Sequence, residues 1–235
     1  DEIEKNTNDE TIKKDDKSLV TVGPSEAMSK SKKNTIDPES MIKVYGADAV
    51  RWFILSDSPP EKDVEWSDQG IIASYKFIQK FWDLHKKIQS KKNIPENKGL
   101  KNDKSINEFT NIIIDKVNFN LENFRYNVII ANLHEIYSFF NKETNSEINY
   151  KNLIHNFIKI IKIMSPIIPH ITAECLDEIK EDKDSLWPEV DKSYLENLNK
   201  IIVVQINGKK RGIIYFENDI EEDLLLKKIE EDNDI

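Results

Sequence analysis

From Ser67 to Lys180 apolar residues return at helical spacing, block after block, and this pattern limits the possible folds more than any other feature. Ser67 or Asp68 opens the first long block, which runs to about Lys91 and places Ile71, Ile72, Tyr75, Ile78, Phe81, Trp82 and Leu84 on one broad face. Residues 92–102 hold Pro95 and Gly99 among Lys and Asn and mark a loop. Three further helices are predicted at about 103–118, 123–142 and 149–164; Ile129, Leu133, Ile136, Tyr137 and Phe140 form the core stripe of the second. Ser165-Pro166 and Ile168-Pro169 interrupt the third, and a shorter helix resumes over about 170–180. The chain therefore reads as mainly α, with an antiparallel helix bundle over residues 67–190.

Different patterns flank the bundle. Residues 1–18 read as a flexible polar segment, in which only Ile3 and Ile12 are apolar before Leu19. A short strand is predicted at Leu19-Val20-Thr21-Val22, and a Gly23-Pro24 turn follows. Asp37 can cap a helix over about 38–45, with Pro38 in its first turn and Gly46 as its stop. Asp48 reads as the N-cap of a second helix over about 48–57, and Pro59-Pro60 keeps 58–66 a loop. Beyond Trp187-Pro188, the β-branched runs 201–206 and 212–216 flank Asn207-Gly208 and predict a hairpin, with residues 220–231 helical again. One hairpin and one helix bury little surface, so residues 200–235 read as part of a small α+β unit, and the chain reads as truncated at both ends.

With 38% hydrophobic and 33% charged residues, the composition suits a helix-rich soluble protein. No apolar run approaches a membrane span, and the single cysteine, Cys175, excludes an internal disulfide framework, so a cytoplasmic location is expected. Cys175 lies in an apolar helical segment as a core residue, and His170, five positions earlier, reads as structural with it. Arg125 and Asn132 read as packing or capping groups. No Cys/His cluster has zinc spacing.

The net charge of -9 argues against a nucleic-acid partner only until its distribution is read. Acidic excess concentrates in residues 1–17 and 217–235, whereas residues 76–104 hold nine lysines against three acids. That lysine run is either a solvated helix face or a phosphate-contacting one.

Ala27-Met28-Ser29-Lys30-Ser31-Lys32-Lys33-Asn34 is a loop of small hydroxyl residues and lysines between the strand and the helix at 38. Hydroxyl donors, positive charge and freedom to close are what a polyphosphate requires. The loop resembles the KMSKS signature of class I aminoacyl-tRNA synthetases, with Ala27 in place of its first lysine. Lys32-Lys33-Asn34-Thr35-Ile36-Asp37-Pro38, Tyr45-Gly46-Ala47-Asp48-Ala49-Val50-Arg51, Pro59 to Ser67 and Val203 to Arg211 resemble, in order, blocks of leucyl-tRNA synthetases.

The resemblance implies that residues 19–66 end a Rossmann-type catalytic domain, that 67–190 form an anticodon-binding-domain-like bundle, and that 200–235 begin a small C-terminal domain. It implies an ATP-binding loop of Ala27, Met28, Ser29, Lys30 and Ser31, with Lys30 catalytic. It further implies tRNA contacts at Lys209, Lys210 and Arg211, for which an ordinary solvated turn remains the alternative. The implied reaction is the ATP- and Mg2+-dependent activation of leucine and its transfer to tRNA(Leu) by a monomeric ligase. Nothing in the sequence matches that family's H-I-G-H motif, amino-acid pocket or editing domain, so the chain on its own is expected to be inactive. A stand-alone helical RNA-binding or scaffold module is the other reading.

Overall fold

A computed structural model describes residues 3–8, 10–21, 23–24, 26–91, 102–146, 149–180, 186–195, 200–206 and 209–216, and over 200–216 it describes the backbone and the side chain of Val204. The chain divides into two compact units, residues 1–44 and 45–235. The second unit includes the helix after Gly46, which supplies Trp52 to the bundle core.

In the first unit, β1 (Ile3–Lys5) pairs antiparallel with β2 (Thr11–Lys13), so the segment read as flexible contains a hairpin. Its turn is closed by the Asn6 side chain, whose Oδ1 accepts from the amides of Asn8 and Glu10, both at 2.9 Å. Of the strand expected at 19–22, the described residues 19–21 make one bridge, between Leu19 and Ile12, and residue 22 lies outside the described residues. Helix α1 (Pro38–Tyr45) starts as the sequence predicts, with Asp37 accepting from the amides of Glu39 and Ser40.

The second unit contains α2 (Ala47–Ser56), α3 (Asp68–Gln89), α4 (Asn102–Glu122), α5 (Tyr126–Glu143), α6 (Tyr150–Met164) and α7 (Pro169–Ile179). Ser67 caps α3 by accepting from the Gly70 amide, and Asn149 caps α6 through the amides of Lys151 and Asn152. Gly46 joins two helices without a spacer because its φ of 81° is open to glycine and strained for other residues. Phe81, Phe140 and Phe157 are wholly buried, with ring centroids 5.5–5.8 Å apart across three helices. Each contributes about 2–3 kcal/mol by leaving water. Trp52 stacks on Phe77 at 4.0 Å and ties α2 to α3. Of the face predicted for α3, Ile72 is exposed, while Phe77, His85 and Ile88 are buried in addition.

Asp48 does not cap its own helix. It sits one residue inside α2, whose N-cap position is Gly46, and its buried carboxylate caps α7 instead. Oδ2 accepts from the Ile171 amide at 2.7 Å, and Oδ1 lies 3.2 Å from the His170 amide and 2.8 Å from His170 Nδ1. One turn along α2, Arg51 donates to the carbonyls of Ile167 (2.9 Å) and Pro166 (2.6 Å). Two side chains of opposite charge thus hold the two sides of the α6–α7 corner.

A second polar seam joins α4 to α6. Asn156 donates to Asn107 Oδ1 at 2.8 Å, and Asn152 and Asn149 both donate to Asp103. The same face of α4 holds the segment 186–195 that leads out of the bundle. Asn118 accepts from Trp187 Nε1 and Asn111 Oδ1 from the Asp191 amide, both at 2.8 Å. Beyond it, β3 (Lys200–Ile206) and β4 (Lys209–Phe216) form the predicted hairpin; its turn residues Asn207 and Gly208, and the predicted helix at 220–231, lie outside the described residues.

The turn between α4 and α5 has a strained residue. Arg125 N donates to the Asn120 carbonyl and Phe124 N to that of Leu121, which is the Schellman way of ending a helix. The left-handed position in that motif normally holds glycine; here Phe124 takes it with φ 54°, at a cost of about 1 kcal/mol.

Removing the Asp48 carboxylate leaves the first amides of α7 without a partner in a buried corner. Asp48→Ala is expected to lower stability by about 2–4 kcal/mol and Asp48→Asn by roughly half as much. Asp83→Ala, an exposed change nearby, should stay within about 0.5 kcal/mol. Urea unfolding of the three variants measures the differences; equal midpoints for Asp48→Ala and Asp83→Ala would refute the capping role.

Candidate nucleotide loop and RNA-facing surfaces

The signature-like loop is held by its last residue. Asn34 Oδ1 accepts from the Ser29 amide at 2.8 Å, and Asn34 Nδ2 reaches the Ala27 carbonyl at 3.5 Å, so one amide side chain closes the loop across five residues. Inside it, Ser29 Oγ lies 3.2 Å from Ser31 Oγ and accepts from the Lys32 amide at 3.3 Å. Lys33 turns the chain with φ 54°, and its amide donates to the Lys30 carbonyl. The structure therefore brings Ala27, Met28, Ser29, Lys30 and Ser31 into one exposed turn.

The lysines of that turn differ. Lys32 Nζ is 2.5 Å from Glu26 Oε2, so its charge is offset within the loop. Lys30 is exposed and has no ion-pair partner among the described residues. A cation held on a closed turn with its ammonium uncommitted can meet an incoming anion at little reorganisation cost. Sequence reasoning singled out Lys30 but missed Asn34 and Glu26. The Asx-turn habit of asparagine was the available signal for the first; nothing local announced the second.

The lysine run at 76–104 is sorted the same way. Lys86 pairs with Glu178 at 2.6 Å, Lys87 donates to Asn145 Oδ1, and Lys91 donates to the Thr144 carbonyl at the end of α5 and to the Tyr150 hydroxyl at the start of α6. Those three are structural. Lys76, Lys80 and Lys104 are exposed, and residues 92–101 lie outside the described residues. Lys209 stands opposite Ile206 and Lys210 opposite Gln205, and the register then steps to Val204 opposite Gly212. Arg211 is thus the extra residue of a β-bulge, a feature that interrupts the ladder.

Other candidates are structural. Cys175 is buried and its thiol is pushed up to about 12 by burial, which keeps it protonated and unreactive. His170 serves the Asp48 corner, and Asn132 accepts from Asn120 in the core. A groove of about 640 Å³ beside that corner is lined by Tyr45, Trp82, Asp48, Asp83, Glu174 and His170. Its carboxylates repel phosphate. Among the described residues no group of three or more His, Cys, Asp or Glu could hold a metal ion, and no described helix is long and apolar enough to cross a membrane.

His85 makes the bundle pH-sensitive. It is fully buried, with Nε2 2.9 Å from Glu178 Oε2, and burial lowers its pKa despite the carboxylate. Hydrogen bonds from Lys86 and His85 hold Glu178 below the usual carboxylate range. Both groups bind protons more readily unfolded than folded, so their stabilisation is present near neutrality and lost as pH falls. For His85 the loss starts below its ordinary value of about 6.5. The melting temperature is expected to fall between pH 7.5 and 5.5, and His85→Gln should flatten that slope, leaving the part due to His134, whose pKa burial also lowers. Parallel slopes for the two proteins would exclude His85 as the source.

Comparison with known proteins bears on both regions. Residues 103–226 match the family described as "Anticodon-binding domain of tRNA ligase", and residues 16–67 match "tRNA synthetases class I (I, L, M and V)". The chain is 38% identical over 218 residues to the leucine–tRNA ligase of Rickettsia bellii, covering 91% of this chain and 26% of that protein. It is likewise 38% identical over 210 residues to the leucine–tRNA ligase of Petrotoga mobilis, covering 83% and 25%. The chain thus spans about a quarter of the length of the curated relatives it matches. Its fold is similar to part of a crystal structure of the ternary complex of Agrobacterium radiobacter K84 agnB2 LeuRS-tRNA-LeuAMS, with a TM-score of 0.65 at 23% identity over 86% of this chain and 27% of that one. It is also similar to apo methionyl-tRNA synthetase of Mycobacterium tuberculosis, with a TM-score of 0.52 at 14% identity over 63% of this chain and 36% of that one. More than half of its residues lie within the first match: the chain belongs to the tRNA ligase anticodon-binding-domain family, and its relatives at 38% identity are leucine–tRNA ligases.

Proposed function

We propose that this chain is the part of a leucine–tRNA ligase that brings a lysine to the triphosphate of ATP and a helix bundle to tRNA(Leu). The observation that carries the reading is Lys30, exposed and uncommitted on a turn closed by Asn34, inside the block that matches class I tRNA synthetases. In such a ligase the leucine carboxylate attacks the α-phosphorus, the bond to the bridging oxygen breaks, and pyrophosphate leaves. Negative charge grows on the phosphate oxygens during that step, and the Lys30 ammonium lowers its energy there more than in the ground state. Ser29 and Ser31 shape the turn and offer hydroxyl donors. Residues 27–34 supply no carboxylate, and that of Glu26 is taken by Lys32, so the donor set fits the phosphates, and an accompanying Mg2+ would be held by the nucleotide.

The bundle docks RNA through phosphates and shape, with Lys76, Lys80 and Lys104 as the uncommitted cations of its described lysine run. Lys209, Lys210 and Arg211 at the start of β4 are a second contact, at a bulge where the strand ladder is interrupted. Sequence-independent contacts of this kind weaken steeply with salt.

In a leucine–tRNA ligase containing this chain, Lys30→Ala should slow leucine-dependent pyrophosphate exchange by ~10²–10³ while leaving the melting temperature unchanged. Lys32→Ala should cost far less, because Glu26 already offsets its charge. Exchange by Lys30→Ala at the parent rate would remove the catalytic assignment.

Lys209→Ala with Arg211→Ala should weaken tRNA charging and spare adenylate formation. Their binding curves should also fall less steeply with salt, by about one slope unit per lost phosphate contact. Unchanged charging kinetics would leave the hairpin as a solvated turn.

A further inference from the structure

We propose that the corner between α4 and α5 is a stacking site for an unpaired RNA base, formed by Phe124, Arg125 and Phe119. The proposal rests on the RNA-binding reading above and adds to it a place and a mode of contact. Phe124 occupies the left-handed position of a Schellman helix end, with φ 54°, where glycine or asparagine would close the same hydrogen bonds without strain. Its ring adds little to the core, since it is 61% exposed and belongs to neither core cluster. Among the described residues its one ring contact is edge-on to Tyr126, with centroids 6.2 Å apart. Beside it, the Arg125 guanidinium carbon lies 5.3 Å from the Phe119 centroid, and Phe119 is itself 53% exposed. No carboxylate pairs with Arg125 among the described residues.

A strained residue that the fold does not need is a reason to look for function. The corner offers flat π surfaces and one planar cation, the combination on which splayed-out bases stack. A partner helix would need aliphatic anchors, and Val128 is the one exposed aliphatic side chain nearby. A base face needs none.

The test uses this chain with three probes: a 12-nucleotide single-stranded oligo(A), a paired RNA duplex of equal length, and a tRNA(Leu) transcript. Affinities are read by fluorescence anisotropy at two salt concentrations. Phe124→Gly relieves the strain, so it should raise the melting temperature by about 2–4 °C. The same variant should weaken single-strand binding on the order of 10-fold, with the salt slope and the duplex affinity unchanged. Phe124→Trp should restore single-strand binding. Single-strand affinity within twofold of the parent for both Phe124→Gly and Phe124→Ala overturns the proposal. So does sedimentation showing a dimer that Phe124→Gly dissolves while RNA binding persists. If the parent chain binds none of the probes, the RNA-binding reading falls and this site with it; if the parent binds and the variants match it, only this site falls.

Discussion

The bundle closes through one buried carboxylate. Asp48 takes the first two free amides of α7, and the positive end of that helix favours the charge it carries. Arg51, on the same face of α2, takes the carbonyls that end the previous stretch at Pro166 and Ile167. Neither group pairs with the other, and each is satisfied by backbone 115 or more residues away. A buried acid is costly unless hydrogen-bonded, and here three bonds offset that cost. Once α7 is placed, Glu178 reaches His85 and Lys86 on α3, so this contact between α3 and α7 depends on the corner. Because Trp52 and Phe53 lie on the same short helix, α2 brings both the clamp and two core side chains to the bundle.

Asparagine does the corresponding work between α4 and α6. Asn107, Asn111, Asn152 and Asn156 form a continuous amide seam in which Asn156 and Asn111 are almost wholly buried. An apolar seam tolerates sliding of one helix along another; paired amides do so only by leaving buried groups unmet. The seam therefore fixes register, and it also grips the Trp187–Tyr194 stretch from which the hairpin departs. Thr110 Oγ1, on the same helix, has no hydrogen-bond partner.

Helix existence was legible because prolines, glycines and capping residues punctuate an apolar period, and Pro38, Ser67 and Asn149 open their helices as local chemistry predicts. Asp48 was misread for an instructive reason. An aspartate ahead of an apolar run satisfies the local N-cap rule, yet here a distant helix end competes for its carboxylate and wins. The lysines at the end of α3 and just beyond it were opaque for the same reason: Lys86, Lys87 and Lys91 find partners 53–92 residues away. The hairpin at residues 3–13 lacks an apolar alternation long enough to announce it. Phe124 was invisible because a Schellman end is recognised by its glycine, and this one has none. The candidate loop was legible as chemistry through its resemblance, while its closure by Asn34 required coordinates.

Placement also sorts the charges of a chain whose formal sum is -9. Counterion release depends on cations free to meet phosphates, not on the formal sum. Lysines that close helix ends or neutralise a carboxylate are removed from that count, as Lys91 and Lys86 are, and acids in the terminal segments lie outside the lysine run. The loop applies the same sorting over four residues. Glu26 takes Lys32 and leaves Lys30. An exposed ion pair of this kind is worth at most about 1 kcal/mol, so it does little for stability. What it does is distinguish two nearby lysines: the Lys32 ammonium is anchored to Glu26, whereas Lys30 is exposed without an ion-pair partner among the described residues.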